Sequence, residues 1–145
     1  YPRTSGIESV GKGYRKMGSM ITVSWQVFHG HYDISWKLGY RQLVEDAIEW
    51  FMGKYDFDDE CNFTVNLKTY GAMDCYGETQ QLKKYNYEIN LATDQGLRDF
   101  LATLMHEMVH VHQWEREEWK GDGEEEAEKK EYKLADEFWK EGLIK

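Results

Sequence analysis

The segment from Asp94 to Glu118 constrains the fold more than any other, because its apolar residues fall at helical spacing and its polar ones carry a metal-ligand pattern. Leu97, Leu101, Leu104, Met108 and Val111 recur three or four apart, which predicts one long amphipathic helix with a stripe facing a core. Asp99, Thr103, His106, His110 and Gln113 form the stripe beside it. A helix advances about 100° per residue, so His106 and His110 share a face, where two imidazoles can grip one metal ion. The run His106-Glu107-Met108-Val109-His110 therefore sets a ligand, an acid beside the metal, and a second ligand. Glu107 is the candidate general base, since zinc lowers the pKa of a bound water to roughly 7 and a carboxylate can take the proton. Imidazoles with a carboxylate suit Zn2+ better than calcium or magnesium, which prefer shells of oxygen. The plain alternative is a polar stripe on a solvated helix. Against it, both histidines border the apolar stripe, where a metal would be shielded yet reachable.

The rest of the chain reads as elements around that helix. Ile21, Val23, Trp25 and Val27 alternate with polar residues, which predicts a half-buried strand over Ile21 to Phe28. His29-Gly30-His31 reads as an ordinary loop. Ser35 to Lys54 reads as a helix with Leu43, Val44, Ala47, Ile48 and Phe51 on one face. Phe63, Val65 and Leu67 alternate in a second strand, Gly71 to Tyr76 can extend, and Gly77 to Lys84 is turn-like. Tyr85, Tyr87, Ile89 and Leu91 predict a further strand leading into Thr93 or Asp94 as helix cap. A last helix carries Ala127, Leu134, Ala135 and Phe138 inward. The order is α+β.

Composition bounds what such a chain can be. With 145 residues, 41% of them hydrophobic and 15% aromatic, it can bury one real core and not two. A net charge of −9 argues against unaided binding to a nucleic-acid backbone. Cys61 and Cys75 are too few for a four-thiolate zinc ribbon or a disulfide scaffold, although one disulfide between them is open. No apolar run approaches the roughly 20 residues of a membrane span and no secretory signal opens the sequence, so a cytoplasmic location is the expectation. Tyr1 to Ser19 shows no sustained period, and Gly18-Ser19-Met20 looks like a cloning scar before a start methionine. Residues 1–19 are expected to be a leader or vector-derived segment, and 20–145 a single domain.

From about Ser35 to Lys145 the chain resembles the SprT-like zinc metallopeptidases. The matching pieces are Tyr70-Gly71-Ala72 ahead of the Tyr85 to Ala92 strand, and Leu104-Met105-His106-Glu107-Met108-Val109-His110 after it. The phrase running on through Val111-His112-Gln113 is also similar to phage proteins of that type. The resemblance implies a zincin-like fold, with a small antiparallel or mixed sheet, a motif helix and two further packing helices. It implies hydrolysis of peptide bonds in a protein or peptide substrate. Relatives of this kind supply a third histidine in an Asp-Gly-His-Gly type loop, whereas this chain has Gly121-Asp122-Gly123-Glu124 there and no histidine after His112. That departure favours a glutamate-zincin variant, which shows Glu-x-x-Ala followed by an acid, as Glu124 to Glu128 does.

Helix geometry addresses the third ligand independently. Glu124 and Glu131 project to the side of Ala127, Leu134 and Phe138, Glu128 lies at its edge, and Glu125 and Glu126 point away from its centre. Glu124 is the favoured ligand, Glu126 the next, and Glu128 the expected partner that orients a ligand histidine. The plain reading is an acidic first turn favoured by the helix dipole. His112 points to another face and reads as core packing or a surface hydrogen bond. Tyr70, Tyr76 and Tyr132 are open candidates for stabilising an oxyanion. A substrate strand is expected along a sheet edge near Gly71 to Tyr76. The competing function is a non-catalytic zinc-binding or regulatory protein, which a closed fourth ligand would mark.

Overall fold

The computed structural model describes residues 20–25, 34–55, 57 and 60–142. The elements follow the order β1 (Met20–Trp25), α1 (Ile34–Tyr55), β2 (Asn62–Lys68), α2 (Tyr70–Met73), β3 (Gly77–Lys83), β4 (Asn86–Ala92), α3 (Leu97–Arg116) and α4 (Glu124–Glu141). The fold is α+β, with a mixed sheet in the order β1-β2-β4-β3. β1 and β2 are parallel, joined through α1, because parallel neighbours need a long crossover that a helix supplies. β2 and β4 are also parallel, while β3 and β4 form an antiparallel hairpin whose two-residue connection holds Tyr85 at φ 69°.

Period-2 alternation makes the sheet two-faced. Phe63, Val65 and Leu67 of β2 and Tyr87, Ile89 and Leu91 of β4 are all at most 1% exposed and join the core. Their neighbours are polar: the Asn66 amide donates to Asn90 and Glu88, the Asn90 amide to Glu78, and the Gln80 amide to Glu88. α1 contributes Val44, Ala47, Ile48, Phe51 and Met52 to the core, each at most 1% exposed. The Val, Ile, Phe and Met side chains among these each contribute roughly 1.5–3 kcal/mol by leaving water. α3 lies against β3, β4 and α1, and α4 lies against α3. Trp50 of α1 meets Phe138 of α4 at 5.7 Å between ring centroids, which closes the helical layer.

Several boundaries differ from expectation for local reasons. The Gly71 to Tyr76 segment is not extended: the Thr69 hydroxyl accepts from Ala72 N–H and starts the short helix α2. The turn-like Gly77 to Lys84 is largely the strand β3, exposed along most of its length, so burial imposed no apolar alternation on it. Neither Thr93 nor Asp94 caps α3. The Thr93 hydroxyl donates to the Lys68 carbonyl and Asp94 accepts from Tyr70 N–H, so both brace α2 and β2, and Gly96 is the cap. Leu97, expected in the buried stripe, is 43% exposed because it opens the helix beyond the edge of the core. Val27 and Phe28, the His29-Gly30-His31 loop and residues 1–19 lie outside the described residues. Cys61 and Cys75 are not joined in a disulfide. Among the described residues no helix is long and apolar enough to cross a membrane.

Candidate metal centre

Two helices of one hairpin build the site. α3 ends at Glu117, whose left-handed φ of 54° breaks the helix, and Gly121 and Gly123, at φ 63° and 83°, turn the chain back into α4. On α4 the inward stripe runs Glu124, Ala127, Glu131, Leu134, Phe138, so two carboxylates extend an apolar face toward the histidines of α3. His106 and His110 are both half-buried and their rings meet edge to face at 5.0 Å. Glu124 lies across them, with Oε1 3.0 Å from His106 Nε2 and Oε2 2.8 Å from His110 Nε2. One ligand atom from each of the three lies within 4.8 Å of the others, a possible metal site.

The donor chemistry fits a cation. The Nδ1 atom of His106 is 2.7 Å from Glu131 Oε1, and that of His110 is 3.0 Å from Gln113 Oε1. Each Nδ1 faces an oxygen that can only accept, so each carries its hydrogen there and turns Nε2 toward Glu124. Two ring nitrogens and a carboxylate thus converge with no hydrogen required on any of them by another partner. That arrangement calls for a proton or a metal ion between them. Zinc at about 2.0–2.1 Å from each donor sets them about 3.3 Å apart; the two histidine–carboxylate spacings are 3.0 and 2.8 Å, and all three ligand atoms lie within 4.8 Å of one another. The Glu124 side chain is 46% exposed, so the centre remains open to water on one side. Burial depresses the pKa of His106, but the hydrogen bond it donates to Glu131 and the charges of Glu107, Glu124 and Glu131 outweigh it and hold the ring above its ordinary value.

Glu107 is positioned from the sheet. It is 6% exposed, and the Thr79 hydroxyl of β3 donates to its Oε1 at 2.6 Å, leaving the second oxygen for another partner. Burial raises its pKa, against the opposing pull of Thr79, His106 and His110. Gly77, two residues before Thr79, permits this approach: a β-carbon there would lie 2.5 Å from Thr103 Cγ2 and 3.0 Å from Glu107 Oε2. Nothing local in the sequence marks Thr79, which meets Glu107 across 28 residues.

The remaining expected residues separate. Glu128 is exposed, and the residue that holds a histidine ring is Glu131, seven residues after Glu124 and so on the same helical face. Glu126 lies away from the centre, accepting from Gln113, Arg116 and Lys130. His112 packs among Tyr55 and Phe57, at 4.7 and 5.6 Å between centroids, and accepts from Arg116. Tyr132 donates its hydroxyl to Asp99, and the Tyr70 and Tyr76 rings meet at 4.6 Å, tilted by 42°. A cavity of about 460 Å³ opens beside the site, lined by Tyr76, Gln95, Asp99, Thr103, Glu131 and Tyr132. Compared with models of protein families, with curated proteins and with solved structures, the chain matches none.

Proposed function

We propose that this chain is a zinc-dependent metallopeptidase of zincin-like plan, similar to the SprT-like enzymes in a glutamate-ligand variant. The observation that carries the reading is the convergence of His106 Nε2, His110 Nε2 and the Glu124 carboxylate beside a buried, sheet-braced Glu107. Zinc, when bound, supplies a Lewis acid that polarises the scissile carbonyl and brings the pKa of a water near roughly 7. Glu107 accepts that water's proton and delivers it to the leaving amine, while Thr79 fixes the carboxylate so that it need not reorient between the two transfers. Among the described residues the candidate ligand group is His106, His110 and Glu124, and three protein ligands would be the set of a catalytic zinc, since a structural zinc is closed by four. This favours catalysis over the reading of a non-catalytic zinc-binding or regulatory protein.

The peptide substrate adds to β3. That strand ends the sheet, pairs with β4 on one side only among the described residues, and carries the side chain that holds Glu107. The edge therefore lies along Gly77–Lys83 and not along Gly71 to Tyr76. The test is hydrolysis of an unfolded protein substrate by zinc-reconstituted protein, with Glu107→Gln and chelator as controls. Glu107→Gln should keep zinc and lose at least two orders of magnitude in rate, the usual contribution of a general base being about 10²–10⁴-fold. Hydrolysis by Glu107→Gln at the wild-type rate would refute the assignment.

A further inference from the structure

Gln113 is an amide side chain only 3% exposed, in the last turn of α3, and its three side-chain hydrogen bonds all lie within the α3–α4 hairpin. Its Nε2 donates to the Gly123 carbonyl at 3.0 Å and to Glu126 Oε1 at 2.9 Å. Both partners are oxygens that cannot donate, so the NH2 group must face them. The amide's orientation is therefore fixed by chemistry, and Oε1 must face His110 Nδ1, 3.0 Å away. An oxygen there demands a hydrogen on Nδ1, which leaves the His110 Nε2 lone pair directed at Glu124.

The same amide reaches the second helix. Gly123 immediately precedes Glu124, and a β-carbon on Gly123 would collide with the Gln113 carboxamide. The glycine thus makes the space in which the amide lies flat against the backbone that presents Glu124. One side chain sets the ring state of one ligand and the starting point of the helix bearing another.

We infer that Gln113 is a positioning residue of the metal centre: it selects the metal-binding tautomer of His110 and locks the start of α4, so that His110 and Glu124 are aligned before metal arrives. The inference rests on the metal-site reading above. A residue that merely filled space would be replaceable by methionine, which has similar volume and no hydrogen bonds. Glutamate tests the halves separately, since it keeps an acceptor for His110 but loses both donors to α4.

The experiment uses the full chain in two measurements. In metal-free protein at alkaline pH, where imidazole is neutral, the ¹⁵N shifts of His110 report the tautomer. Wild type should show the Nδ1–H form, Gln113→Met a mixture with Nε2–H, and Gln113→Glu a return to Nδ1–H. Zinc affinity by chelator competition should fall about 10 to 100-fold in Gln113→Met, the range typical of lost partners of ligand histidines. The visible spectrum of the cobalt-substituted protein should change as its ligands lose alignment. An unchanged tautomer in Gln113→Met, or in Gln113→Glu wild-type zinc affinity with an unchanged cobalt spectrum, would overturn the inference. Should Gln113→Met not fold, the Gln113→Glu measurements decide. If wild type shows the Nδ1–H tautomer but binds no zinc, the metal-site reading fails, and the inference built on it fails with it.

Discussion

Replacing Glu131 by alanine removes the carboxylate that holds the His106 ring without removing a ligand. The contact is 2.7 Å long and the Glu131 side chain is 24% exposed, so the bond is charge-assisted but partly reached by water. Loss of such a partner typically weakens metal binding about 10 to 100-fold, and a 30-fold loss is about 2 kcal/mol. The effect carries into stability through linkage. At free zinc about 100 times the wild-type Kd, binding stabilises the fold by about 2.7 kcal/mol, and a 30-fold weaker site retains only about 0.9 kcal/mol. With an unfolding entropy of about 2.1 cal/mol/K per residue, the zinc-induced rise in Tm should shrink by about 6 °C. Thermal melts with and without zinc, beside chelator competition, measure both quantities. Glu128→Ala is the matched control, because Glu128 is exposed on the same helix. If Glu131→Ala keeps its affinity within threefold, or Glu128→Ala loses as much, the carboxylate–histidine pairing plays no part in holding metal.

Glu124→Ala should lose zinc affinity by about 100-fold or more, whereas Glu126→Ala should leave it within a few-fold, because the second residue is engaged by Arg116 and Lys130; the reverse order in chelator competition would mean that α4 is rotated. Gly77→Ala forces a methyl toward Thr103 and Glu107 and should cost roughly 1–3 kcal/mol in denaturant unfolding, with hydrolysis falling more than zinc affinity. In metal-free protein, His112 and Glu126 should each withdraw stability with acid, in two stages, against an opposite contribution from His106, whose raised pKa adds stability as pH falls. Burial, then Arg116 and Lys130, depress His112 from 6.5 to about 4, so the folded state takes up its proton later than the unfolded chain and stability is lost as pH falls from 6.5 to 4. The half-buried position limits this to roughly 1–2 kcal/mol, and His112→Phe should flatten that stage. Hydrogen bonds from Lys130, Gln113 and Arg116 outweigh burial and hold Glu126 at about 2, so its contribution disappears between pH 4.5 and 2.

What the sequence made legible follows how local each signal is. His106 and His110 share one helical face by spacing alone, and Glu124 falls on a face already marked by Ala127, Leu134 and Phe138. The choice of Glu131 over Glu128 depends on how α4 is rotated against α3. The stripe through Glu124 and Ala127 carried that information, since Glu131 lies two turns beyond Glu124 on the same face. β3 left no pattern because an edge strand exposed on most positions is under no pressure to alternate, and GETQQLK reads as polar punctuation. Thr79 and Gly77 act on Glu107 through sheet pairing 28 and 30 residues away in the chain, a relation that no local period encodes. The Thr93 and Asp94 side chains looked like caps for α3 and instead brace the end of β2 and the start of α2, because residues that cap are equally good at bracing turns.

The ligand residues and the groups that hold their rings all lie between His106 and Glu131, inside one hairpin of two helices. Closing a loop of that length costs little entropy, and the cost grows only slowly with length. The environment of Glu107 is a different matter, since Thr79 reaches it only once the β3–β4 hairpin has docked. Loading of an ion and readiness to react therefore have different folding requirements. Displacement of β3 alone separates Thr79 from Glu107, whereas the contacts of Glu124 with His106 and His110 lie within α3 and α4. On the proposed reading, metal content alone is then a poor assay of the intact site, and the fraction of protected β3–β4 amides in hydrogen exchange is the better count of molecules in which Thr79 holds Glu107.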